Sequence, residues 1–141
     1  MEVRTVSAIV GIVDVATRTI STLASIRKRF KEVNLAVEPL STQLVSVKAA
    51  LDQIRHLVEE SLQDDQPCQI AMNMNITING CNLLIRLLDD QISKLEHDED
   101  NKITLESRVK TALKSKGFKE CLARLDRQLS ALNLIITAYN V

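Results

Sequence analysis

Tryptophan is absent from this sequence, and Phe30, Phe118 and Tyr139 are its only aromatic residues. Nucleic-acid surfaces rely on aromatic platforms and a basic field. The 18 Lys and Arg residues are balanced by 18 Asp and Glu residues, so nucleic acid is excluded as a partner. Three glycines and two prolines in 141 residues are too few for the many turns of a sheet, and leave long uninterrupted helices as the economical reading. The three cysteines, Cys68, Cys81 and Cys121, are odd in number and form no C-x-x-C pair. They suit reduced, buried thiols of a cytoplasmic protein better than a secreted disulfide framework. The sequon Asn75-Ile76-Thr77 is the contrary sign, and it stands without a secretory signal. Asp14 and Arg18 interrupt the first apolar stretch, which leaves neither a clean signal peptide nor the run of about 20 apolar residues that spans a bilayer.

What is present is aliphatic residues at helical intervals. Over residues 5–30, Val6, Ile9, Val10, Val13, Ile20, Leu23 and Phe30 recur on one stripe. Val37, Leu40, Leu44, Val47, Leu51, Ile54 and Val58 form a second seam, with Pro39 expected in the first turn or, in a longer helix, at a kink. Residues 64–67 read as a loop. The stretch 72–79 alternates like a strand and ends in Asn79-Gly80. Yet a lone strand has no partner here, and Met74, Ile78, Cys81, Ile85, Leu88, Ile92 and Leu95 fit a third helical seam. After an acidic connection at 96–100, Thr104 can cap a helix carrying Leu105, Val109, Ala112 and Leu113. A break is expected at Gly117. The final seam, Phe118, Leu122, Leu125, Leu129, Leu132, Ile136 and Tyr139, is the most regular, with Glu120 and Arg124 able to pair one turn apart. The expected fold is all-α, a single domain over 1–141: an antiparallel bundle of four long helices, the last broken or kinked near Gly117. A chain of this length can bury roughly 68% of its unfolded surface.

Chemistry-bearing clusters are weak. Asp52, His56 and Glu60 are spaced four apart on one helix face, but a second cluster that would complete a metal site is missing, so they read as a solvated charged face. The acidic run 96–100 lacks the glycine and terminal carboxylate of a calcium loop. Neither a phosphate-cradling glycine loop nor a nucleophile elbow occurs. The expectation is therefore a protein that is not an enzyme, with no cofactor, no metal and no small-molecule substrate.

The first helix is the informative element. Between residues 6 and 16, apolar side chains nearly encircle it, and the cationic residues Arg27, Lys28, Arg29 and Lys31 follow. Val6, Ile9, Val10, Ile12 and Val13 are candidates for membrane insertion, with the four cations as candidates for anionic headgroups. The alternative is a central bundle helix ending in a cationic last turn, which its dipole favours.

The layout resembles the N-terminal helical domains of fungal STAND (NLR-like) proteins, a group that includes HeLo-like domains. The likeness is carried by the 6–13 helix, the stretch 44–51, Gly80-Cys81 leading to Leu87-Leu88, and the segment from Arg108 through Leu125-Asp126-Arg127-Gln128-Leu129 to Leu134. It implies a signalling domain at the N-terminal end of a larger protein, acting in cell-death or immune-type signalling by oligomerisation. It also implies a cytoplasmic location with recruitment to a membrane on activation. The alternative is a helical-bundle scaffold with no membrane role, self-associating or docking a partner helix through the seam Leu122, Leu125, Leu129, Leu132 and Ile136.

Overall fold

A computed structural model describes residues 2–29, 34–60, 68–96, 111–112 and 115–139. Four long helices account for nearly all of them: α1 (Glu2–Arg29), α2 (Asn34–Glu60), α3 (Cys68–Glu96) and α4 (Lys116–Tyr139). No strand occurs among the described residues. The stretch 72–79, which alternates like a strand in sequence, is helical, because Met74 and Ile78 lie one turn apart and both enter the core. That burial outweighs the local β preference. Pro39 lies inside α2, beyond its first turn, so the longer helix is the one that forms. Its missing N–H costs one backbone bond, while Val37 and Leu40 on either side are fully buried.

The start of α4 is set by Ser115, two residues before the expected break at Gly117. The Ser115 hydroxyl accepts the Phe118 N–H at 3.2 Å and donates to the Ala112 carbonyl at 2.7 Å. Its own carbonyl receives the Lys119 N–H at 3.1 Å. This is the geometry of an N-cap, which satisfies an otherwise orphaned donor. Gly117 sits within the first turn with open space about its Cα. The expected Thr104 cap, the acidic residues 97–100 and the 64–67 loop lie outside the described residues.

Side by side, α1 packs on α2 and α3, and α4 packs on the other sides of α2 and α3. The ring therefore runs α1, α2, α4, α3. Each helix is about 40 Å long, whereas the four residues between α1 and α2 reach less than about 20 Å. α2 must therefore run back alongside α1. Seven residues between α2 and α3 reach less than about 30 Å, so the direction reverses again, and α3 takes the corner diagonal to α2. Ile9, Ile12, Leu23, Leu40, Leu44, Leu51, Ile54, Ile78, Ile85, Leu88, Ile92 and Leu125 are almost wholly buried between the four helices. Each such side chain contributes about 1.5–3 kcal/mol through removal from water.

Candidate functional site

The bundle has already used most of the residues that the sequence singles out. Ile9 and Ile12 are fully buried, Val6 and Val13 are half-buried against the core, and Val10 is 42% exposed. Among the described residues α1 is the one helix long and apolar enough to cross a membrane, and 39% of that window is buried. At its C-terminal end Arg27, Lys28 and Arg29 are exposed, while Lys31 lies outside the described residues. On α4, Leu125 and Leu132 are fully buried, and Leu122, Leu129 and Ile136 lean on the core. In this closed state that seam is an internal contact.

Charged groups on α2 form a surface network. Arg55 reaches Asp52 at 3.8 Å and Glu59 at 3.6 Å, and His56 Nδ1 lies 3.9 Å from Glu59. No group of three potential metal ligands occurs among the described residues. Glu120 and Arg124, spaced for an ion pair, form none among the described residues, whereas Asp90 and Lys94 at the same spacing on α3 pair at 3.1 Å.

Two polar ties hold α3 to its neighbours, and neither is visible in the seams. On the α1 side, Asp89 accepts hydrogen bonds from Arg18 Nη2 at 2.7 Å and from the buried Thr19 hydroxyl at 3.0 Å. The Arg18 hydrogen bond holds the Asp89 carboxyl below the usual range against the opposing effect of burial, with help from Thr19 and the nearby charge of Arg86. On the α4 side, a Cβ at Gly80 would come within 2.8 Å of Gln128 Nε2. Glycine is what allows α4 to bring Gln128 this close. Cys81 Sγ–H lies 3.8 Å from Gln128 Oε1, and burial pushes its thiol up to about 12. Such a thiol is a weak donor in a packed wall, not a nucleophile.

Over this contact opens a groove of about 300 Å³, lined by Gly80, Leu83, Leu84 and Leu87 of α3 and by Arg124, Arg127 and Gln128 of α4. Leu83 is 71% exposed and Leu87 45%, and Ile76, two turns earlier on the same line, is 69% exposed. Spacings of seven and four place the three side chains on one stripe. Arg86 flanks it on the far side from α4, where its Nε donates to Asn82 at 2.7 Å. Arg124 and Arg127 make no ion pair among the described residues. The face is thus an apolar ridge between cations. No protein-family model, no curated protein and no solved structure matches the chain.

Proposed function

We propose that this chain is a non-catalytic signalling module, of the kind its likeness to fungal NLR-like N-terminal domains implies, and that it works by docking protein on the outer face of α3. The supporting observation is the line Ile76, Leu83, Leu87: large aliphatic side chains left in water on a helix whose other side fills the core. Single exposed leucines are ordinary, whereas three in register beside a groove mark an interaction site. The arginines supply the rim, a residue type suited to interfaces because its planar fork binds carboxylates in two places.

A photoreactive phenylalanine analogue substituted for Leu83 is expected to yield one protein adduct of defined mass in cells that make the full-length protein. The adduct should disappear when Arg124→Glu and Arg127→Glu are added. The same analogue at Lys119, exposed elsewhere on α4, should give none. Absence of an adduct from position 83 counts against the proposal.

A second reading is favoured by α1, whose apolar N-terminal half suits insertion at the headgroup boundary and whose exposed cationic end suits anionic headgroups. Because Ile9 and Ile12 are enclosed, membrane engagement on this reading requires the bundle to release α1 first.

A further inference from the structure

We infer that the partner of the α3 face is a second copy of the same chain, presenting the outer face of its α2, so that copies join head to tail. This rests on the reading of the α3 ridge as a protein-docking surface, and adds to it the identity of the occupant.

The outer face of α2 has the complementary character. Glu38, Val45, Ala49 and Asp52 recur at spacings of seven, four and three, which puts them on one line. Val45 is 52% exposed, and Ala49 beside it is exposed as well. The result is a short, shallow apolar patch, one turn long, that can receive one leucine of the ridge. Glu38 and Asp52 bound it at its two ends. Against Lys48 and Arg55, α2 carries Glu38, Asp52, Glu59 and Glu60. Arg55 is shared between Asp52 and Glu59, so acidic charge remains in excess. Across the molecule the ridge is flanked by Arg86, Arg124 and Arg127; Asp90, seven residues beyond Leu83 on the same line, is paired with Lys94 at 3.1 Å, and Glu120 lies one turn beyond the groove, so cationic charge remains in excess. Apolar centre meets apolar centre and cationic rim meets acidic rim, which fixes orientation and disfavours like-on-like pairing.

Topology makes the pairing intermolecular. Because α2 and α3 occupy opposite corners of the ring, their outer faces point away from each other, and no copy can satisfy its own ridge. Each copy can hold one neighbour on either side. Such a contact joins unlike surfaces, so it propagates as an open chain or closes as a ring, according to the rotation per step. The formal net charge of zero removes the global repulsion that keeps strongly charged proteins apart.

The test is sedimentation velocity on the purified full chain from micromolar to millimolar concentration. Wild-type protein is expected to grow in size with concentration. Leu83→Glu sets a carboxylate against the acidic face, and Val45→Arg sets a cation against the arginines. Each variant alone should lose association about tenfold or more. An equimolar mixture of the two should form one-to-one dimers and stop there, since the undamaged α2 of one meets the undamaged α3 of the other and only the damaged faces remain free. Both positions are exposed, and an unchanged melting temperature confirms that each variant folds. Two results overturn the inference: wild-type protein that stays monomeric throughout, or a Val45→Arg variant that associates like wild type, which would mean that the α2 face is not the occupant. Either result leaves the photo-adduct at position 83 to decide separately whether the ridge docks protein at all.

Discussion

Arg18 of α1 and Asp89 of α3 are joined across 71 residues of sequence by a 2.7 Å hydrogen-bonded ion pair. The two ends are unequal, since the Arg18 side chain is 63% exposed and that of Asp89 only 13%. Water screens the arginine's share, and the aspartate's partners decide the strength of the tie. Thr19, fully buried, has one hydroxyl proton and two acceptors within reach, the Asp89 carboxylate and the Val15 carbonyl at 2.9 Å. Asp89→Ala leaves Thr19 with Val15 alone and is expected to cost about 1 kcal/mol. Urea denaturation of wild type and variant measures it.

The pH dependence of the same pair follows from the direction of the shift. Asp89 in the folded chain titrates below its ordinary value of 3.8, so ionisation there stabilises the fold. That contribution is fully present above the unfolded value and is lost as pH falls through the lower, folded one. The stability gap between wild type and Asp89→Asn should be constant near neutrality and shrink below about pH 4. A gap that widens on acidification would contradict the Arg18 hydrogen bond as the cause.

Gly80 lowers the helix propensity of α3 by about 0.8–1 kcal/mol relative to alanine, yet a Cβ there meets Gln128. Gly80→Ala alone is therefore expected to gain little, because Gln128 must swing away and give up its contact with Cys81. In a Gln128→Ala background the same change should stabilise by about 0.5–1 kcal/mol. A double-mutant cycle read by thermal melting tests this coupling.

Leu83 and Leu88 are five residues apart on one helix and should behave oppositely. Leu88→Ala opens a cavity in the core and is expected to cost about 2–5 kcal/mol. Leu83→Ser, at a side chain already 71% exposed, should move stability by no more than about 0.5 kcal/mol. Comparable losses at both positions would mean that the α3 ridge is covered within the monomer.

For the membrane reading, charge reversal of Arg27, Lys28, Arg29 and Lys31 is expected to abolish binding to vesicles rich in phosphatidylserine. Wild-type binding should appear only once the bundle is loosened, for instance by moderate urea, and should fall with added salt. Wild-type protein that never binds, loosened or not, removes membrane engagement from consideration.

Much of the architecture is legible in the sequence because a buried face repeats. Leu44, Leu51, Ile85, Leu88 and Leu125 are each on an inward seam by spacing alone, and each is almost wholly buried. The interval pattern does not say which corner of the ring a helix takes, so the diagonal placement of α3 opposite α2 is absent from it. At the start of α4 the glycine draws the eye, while the serine two residues earlier has the hydroxyl that caps the helix. The ridge escapes a seam-based reading for a related reason: Ile76, Leu83 and Leu87 keep the same seven-and-four spacing, but outside the inward set. Asp89 and Thr19 are equally hidden, as their pairing joins positions 70 residues apart.

Cys81 has a further use. Its sulfur is buried in the core beside Gln128, and burial keeps its proton in place, so a thiol reagent can attack only while the bundle is open at α3. The modification rate of Cys81, with Cys68 and Cys121 replaced by serine, therefore counts openings of the core around α3. If the ridge is occupied by a neighbouring molecule, the rate should slow as protein concentration rises, giving a chemical clock for assembly that needs no added label.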